Sequence, residues 1–217
     1  MTSLLTNKRL EEGTAYLVAR DSDLARLLTM DGVPPLWARK PGFSTLIHII
    51  LEQQVSLASA MAMYGRLLDN LVPFTPENFV KSGSSRLRAL GVTRQKAAYC
   101  IHVANAILEK KLDLKALEKM DDPGVLDALT QIKGIGPWTA SIYLLMVLLR
   151  PDVWPPGDIA LMNTLRKVKS LGGHPSQSEL SEIIEAWRPF RSVAARMLWH
   201  HYLSEKFRTG PIRKRRS

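Results

Sequence analysis

The residue pattern with the most chemical content spans residues 129–158, LTQIKGIGPWTASIYLLMVLLRPDVWPPGD. Two glycines one residue apart, Gly134 and Gly136, are followed at once by Pro137. Glycine permits a sharp turn and a close backbone approach. Proline is a favoured first helical residue, because its missing N–H would be unpaired there anyway. Residues 133–136 therefore read as a tight turn that delivers free backbone N–H groups at a helix N-terminus, a setting that binds anions such as a DNA phosphate. Upstream, Asp122-Pro123 reads as a cap and first-turn pair, with Val125, Leu126 and Leu129 on one apolar face. A glycine turn between helices is also what a plain αα corner looks like. Residues 141–149 are almost wholly apolar and too short to span a bilayer. Pro151 and Pro155-Pro156-Gly157 then break the helix, and Asp158 opens the next, whose buried face is Leu161, Leu165 and Val168. Asp158 reads either as a plain N-cap or as a carboxylate held in a fixed place near the hairpin across a proline-stiffened loop.

The elements that must position these residues are helical. At 217 residues the chain suffices for one large domain or two small lobes with a real core. Asp21-Ser22-Asp23 can cap a helix carrying Leu24, Leu27 and Leu28, ended by Asp31-Gly32. Pro34-Pro35 and Pro41-Gly42 bound a loop whose Trp37 reads as an anchor to the core. Phe43, Leu46, Ile47, Ile50 and Leu51 recur at helical spacing until Gln53-Gln54-Val55-Ser56 interrupts them, and Ser56 can cap the following helix. Thr75-Pro76 starts a helix and residues 82–85 turn. Residues 94–110 make a long helix with Ala97, Ile101, Ala104 and Leu108 on its apolar face; Arg94 and Lys96 at its start either meet phosphate or are solvated. Gly172-Gly173 stops the helix after Asp158, Ser176-Gln177-Ser178-Glu179 is a capping box, and a last helix carries Val193, Ala194, Met197, Leu198 and Trp199. No alternating strand pattern is present, so the fold class expected is all-α.

Composition narrows the function. Lys and Arg number 30 against 20 Asp and Glu, a formal charge of +10, which suits DNA, RNA or a membrane surface. Arg208, Arg213, Lys214, Arg215 and Arg216 fall in residues 208–217 with no acid beside them. That tail reads either as a solubilising end or as a polyanion-binding one. A single cysteine, Cys100, excludes an intrachain disulfide framework and a four-cysteine iron–sulfur cluster, and fits a reducing compartment. The five histidines are scattered; His200 and His201 are adjacent and point apart on a helix, which gives no zinc site. Residues 1–20 mix charges without an apolar run, so the chain is expected not to be secreted and to have no membrane partner.

GIGPWTA followed by PPGD resembles the helix–hairpin–helix DNA glycosylase superfamily. Residues 43–56, FSTLIHIILEQQVS, resemble that family's early helix and its QxxS turn, and residues 187–199, WRPFRSVAARMLW, its closing helix. The matches run in the expected order over most of the chain and are most similar to the alkylation-repair branch, the 3-methyladenine DNA glycosylase II type. The resemblance implies an all-α, two-lobed fold with the active site in the cleft between lobes. One lobe would be roughly residues 44–150, with the hairpin unit at 123–149; the other, residues 1–43 plus 151–207.

The resemblance further implies a monofunctional glycosylase of base excision repair, a monomer in the cytoplasm, associated with the nucleoid, or in the nucleus. It would flip and hydrolytically excise alkylated bases of the 3-methyladenine or 7-methylguanine type from damaged duplex DNA. Asp158 is then the catalytic residue. Trp138 and Trp199, with Tyr143 as a further candidate, line the base pocket, the alternative for the tryptophans being core packing. Gln53, Gln54, Lys133, Gly134, Ile135, Gly136 and Thr139 contact DNA, and Gln54 takes the wedge position that fills the gap left by the extruded nucleotide. Family members that also cut the strand carry a lysine where this chain has Trp138, so no lyase step is expected. No cofactor is required; the main-chain carbonyls of Thr130, Ile132 and Ile135 match the family's position for a structural Na⁺ or K⁺. Two other readings stay open: a DNA-binding protein without catalysis, and a glycosylase for uracil, hypoxanthine or a mismatch. Asp158 argues against the first, since a carboxylate facing DNA only weakens a pure binder.

Overall fold

A computed structural model describes residues 4–172 and 175–209. Its helices in chain order are α1 (Asn7–Val18), α2 (Ser22–Asp31), α3 (Phe43–Glu52), α4 (Leu57–Asn70), α5 (Pro76–Ala89), α6 (Arg94–Leu108), α7 (Asp122–Thr130), α8 (Pro137–Met146), α9 (Ile159–Val168), α10 (Gln177–Glu185) and α11 (Arg191–Thr209). A short 3₁₀ turn, Ala116–Lys119, precedes α7. Among the described residues there is no strand, so the all-α expectation holds. No described helix is long and apolar enough to cross a membrane.

The chain divides into two compact units. A central unit is Ala38–Leu149; a terminal unit gathers the residues up to Trp37 with those from Arg150 onward. In the central unit α3 packs on α4, α6 and α8, α5 on α6, and α7 on α8. Leu46, Ile47, Ile50 and Leu51 of α3 are fully buried there, as are Val103, Ala104, Leu129 and Leu145. In the terminal unit α11 lies against α1, α2 and α9. Its Arg196 is fully buried and donates from Nε to the Leu36 carbonyl (2.9 Å) and from Nη1 to that of Ser192 (3.0 Å). A buried guanidinium is tolerable only with such partners.

Helix starts follow their caps. The side chains of Asp21, Ser56, Thr75, Thr93, Asp158 and Ser176 each accept from a first-turn N–H, and Ser176 with Glu179 forms a full capping box. The expected cap at Asp122 is one residue off: Asp121 accepts from Gly124 N–H at 3.0 Å, placing Asp122 and Pro123 inside the first turn. The turn expected at residues 82–85 is a break within α5, where Gly83 adopts φ +66°. α9 ends at Val168, before Gly172; Gly173, the remainder of that expected stop, and His174 lie outside the described residues. So does the basic tail beyond Thr209.

The apolar face of α6 is rotated from the one expected. Ala97, Cys100, Val103 and Ala104 are buried with Lys96, whereas Leu108 is 40% exposed. With alanines on most sides the sequence hardly distinguishes two neighbouring faces, and contact with α3 and α5 decides. Burial pushes the Cys100 thiol up to about 12, so it is not a nucleophile.

Candidate functional site

The hairpin lies between α7 and α8. Ile135 N–H donates to the Ile132 carbonyl at 2.9 Å, which closes the turn, and the Ile135 side chain is buried as its anchor. The two glycines have different reasons. Gly134 has φ +104°, and a Cβ there would lie 2.3 Å from Cγ of Tyr99 on α6. Gly136 has φ −94°, ψ 178°, with nothing within 4 Å of a Cβ. It occupies the N-cap position of α8 and provides no side-chain cap, and no acid lies in the first turn. With neither there, the helix dipole at the start of α8 favours an anion. Lys133 is exposed beside it.

This difference is testable. Gly134→Ala is expected to lower stability by about 2–4 kcal/mol, from the unfavourable φ and overlap with the Tyr99 ring. Gly136→Ala should stay within ~1 kcal/mol of wild type. Urea midpoints measure both, and equal shifts would remove the distinction.

α3 stops at the glutamine turn. Gln53 leaves helical geometry at φ −56°, ψ 124°, and the exposed Gln54 has φ +55°, a left-handed conformation that non-glycine residues seldom adopt. Ser56 then caps α4, accepting from Ser59 N–H at 3.2 Å. Gln53 turns back on the hairpin: Nε2 donates to the Gly134 carbonyl and to Oγ1 of Thr139, both at 2.9 Å. Thr139 is 1% exposed. Its side chain thus supports the hairpin from within and does not reach outward as a DNA contact.

Two further sequence expectations need correcting. Lys96 is neither solvated nor poised for phosphate: it is 7% exposed and its ammonium donates to the Leu51 carbonyl at 2.7 Å. Tyr143 is fully buried within α8, and its hydroxyl finds no hydrogen-bond partner. Burial pushes that phenol up to about 12. It follows Trp138 by five residues, not four, which turns it ~140° away around the helix. Tyr143 is a core residue, not a pocket wall. Trp138 itself is half-buried.

The terminal unit holds the carboxylate. Asp158 caps α9, its Oδ1 accepting from Leu161 N–H at 2.9 Å. Trp199 of α11 directs Nε1 at the same oxygen over a long 3.4 Å. Asp158 is 9% exposed, not turned out to solvent. The proline-rich loop before it is stapled to α11: Ser192 N–H donates to the Pro151 carbonyl (3.1 Å), Val153 N–H to Ser192 Oγ (2.9 Å), and Ser192 Oγ–H to the Val153 carbonyl (3.1 Å). Arg191 adds an ion pair to Asp152 at 2.9 Å. A carboxylate fixed at both ends in a poorly hydrated setting exerts a strong local field. Ile159, the next residue, is 72% exposed, an unusual setting for an aliphatic side chain.

The structure thus brings Gln53, Gly134 and Thr139 together in one unit, and Asp158 with Trp199 in the other. Sequence reasoning missed Tyr99, whose ring makes Gly134 obligatory, and the inward role of Lys96. A lysine amid the alanine-rich run of α6, with a tyrosine three residues on, was the available signal.

Residues 47–189 match the family model described as HhH-GPD superfamily base excision DNA repair protein. The chain belongs to this family. The matched span takes in the glutamine turn, the hairpin and Asp158, and stops short of Trp199. DNA-3-methyladenine glycosylase 1 of Schizosaccharomyces pombe is 30% identical over 165 residues, 74% of this chain and 72% of the relative. DNA-3-methyladenine glycosylase 2 of Escherichia coli is 30% identical over 177 residues, 75% of this chain and 60% of the relative. The chain also covers only 58% of a Bacillus subtilis relative. Among solved structures, the S. pombe 3-methyladenine DNA glycosylase Mag1 in complex with abasic DNA has a TM-score of 0.81 at 26% identity, over 90% of this chain and 97% of that one. A Bacillus halodurans DNA-3-methyladenine glycosidase has a TM-score of 0.74 at 31% identity, over 89% and 91%.

Proposed function

We propose that the protein is a monofunctional DNA glycosylase of base excision repair that flips an alkylated purine out of duplex DNA and hydrolyses its N-glycosidic bond. The observation that carries this reading is Asp158: a nearly buried carboxylate, fixed by its capping bond and by a stapled loop, in a chain whose named relatives excise 3-methyladenine.

A stacked base is out of reach, so it must be extruded, at a few kcal/mol and less for a damaged pair. The hairpin with Lys133 holds a backbone phosphate, and Gln54 fills the gap. Cleaving the glycosidic bond builds positive charge on the sugar, as in glycoside hydrolysis. Asp158 stabilises that oxocarbenium ion and orients the attacking water. An alkylated purine is already cationic and leaves without a second carboxylate to protonate it. Trp138 and Trp199 offer the aromatic faces that attract such a base. Trp138 occupies the position where strand-cutting members carry a lysine, so no amine is available there for a Schiff base.

The hairpin fits a monovalent cation in part. Thr130 ends α7, where the helix supplies no further donor to its carbonyl, while the Ile132 carbonyl already accepts from Ile135 and keeps one lone pair. With the Ile135 carbonyl these would hold Na⁺ or K⁺, which adds positive charge beside the bound phosphate. The protein would act as a monomer wherever the cell keeps its DNA.

A panel of duplexes, each with one lesion, tests the reading at a fixed salt concentration, since phosphate contacts make binding salt-dependent. Release of 3-methyladenine and 7-methylguanine is expected. Release of uracil or hypoxanthine alone would reassign the substrate; tight binding with no release would leave a DNA-binding protein.

A further inference from the structure

We infer that Gln53 is a positioning residue that locks the glutamine turn to the glycine hairpin, so that the wedge and the phosphate clamp move as one body. The inference rests on the glycosylase reading above for its consequence, and on the central unit alone for its geometry. Three contacts close a ring. Lys96 Nζ holds the Leu51 carbonyl at 2.7 Å, two residues before Gln53. The Tyr99 ring lies under Gly134, occupying the space a Cβ would need. Gln53 Nε2 spans the remaining gap, shared between the Gly134 carbonyl at the hairpin tip and the Thr139 hydroxyl in the first turn of α8.

Lys96 and Tyr99 stand three residues apart on α6 and so share one side of it. Gln95 Nε2 donates to the Tyr99 hydroxyl at 2.6 Å and steadies the ring. Burying an ammonium is costly, and burial pulls the Lys96 pKa down. What Lys96 does there is hold a carbonyl in the last turn of α3, where a cation is favoured by the helix dipole. The left-handed backbone of Gln54 makes the same point, because strain of that kind persists only where the surroundings over-determine the turn. Lys96 and Thr139 are buried and Gln53, Tyr99 and Gly134 half-buried, while Gln54 and Lys133, the neighbours of this ring in sequence, are exposed. Extrusion requires the wedge to enter just where the backbone is gripped, and a displacement of ~1 Å between such groups can cost about a hundredfold in rate.

The test compares wild type with Gln53→Leu, Thr139→Val and the double variant. Amide hydrogen exchange on the free protein should quicken together in residues 53–57 and 131–139 of Gln53→Leu, with the rest of the central unit unchanged. Fluorescence of 2-aminopurine placed beside a single 7-methylguanine reads extrusion, and should fall by about tenfold or more in Gln53→Leu, which loses both hydrogen bonds of the lock. Affinity for an abasic-site duplex, which needs no extrusion, should stay within roughly twofold of wild type. Thr139→Val should lose less, and the double variant should match Gln53→Leu, since the bond that Thr139→Val removes is one of the two that Gln53→Leu already removes. Unchanged exchange and extrusion, exchange quickened across the whole unit, or equal losses in extrusion and abasic affinity would each overturn the inference. Base release by wild type judges the glycosylase reading separately, and the exchange arm reads the lock whichever way that falls.

Discussion

Asp158→Asn is expected to fold like wild type, bind damaged duplex at least as well, and release alkylated bases about 10²–10³-fold more slowly. Asparagine is as good an N-cap as aspartate. Its amide oxygen can still accept from Leu161 N–H and face Trp199 Nε1, so the α9 terminus is preserved. What is lost is the negative charge, and with it the stabilisation of a cationic sugar. Binding should not suffer, because a carboxylate near phosphates repels them. Asp158→Ala would confuse the issue, since deleting the cap alone costs ~1 kcal/mol of stability. Single-turnover base release and thermal melting of the two proteins measure the effect. Equal release rates would remove Asp158 from the chemistry and with it the enzyme assignment.

Trp138→Ala is expected to leave affinity for an abasic duplex largely intact while base release falls by one to two orders of magnitude, the range expected when about 1–3 kcal/mol of stacking on a base is lost. The physical case lies in its placement. Trp138 is in the first turn of α8, directly after the hairpin, and only half-buried, whereas Thr139 to Leu145 behind it are buried. A tryptophan needed only for packing would belong to that buried run. The phosphate clamp proposed above would be built from backbone and from Lys133, neither of which the substitution touches, so grip and excision should separate. Unchanged base release together with a lowered melting temperature would place the ring in the core instead.

The caps and the hairpin were legible in the sequence because they are local. An N-cap spans three residues, so Asp21, Ser56, Thr75 and Ser176 announce their helices from type and position, and even the Asp121/Asp122 slip is a single residue. Asp158 was visible for the same reason: a carboxylate after Pro155-Pro156-Gly157 and before an apolar run can cap only the helix that follows. Inward and outward faces were less legible. Tyr143 and Thr139 were candidates for substrate contact and are buried; Lys96 looked like an exposed helix start and holds α3. α8 is apolar on most sides and α6 is rich in alanine, so periodicity does not single out one face on either helix.

By itself, then, the sequence determined the all-α class, the order of helices, the hairpin and the carboxylate that caps α9, because each depends on interactions within a few residues. Only the tertiary structure decided why Gly134 must be glycine, what Gln53 holds and which side of α6 is inside. Those answers depend on Tyr99, Thr139 and Leu51, groups some 35 to 86 positions away or on another helix. Close packing fixes such contacts through the shape of what lies opposite, and a sequence read along its length does not contain that shape.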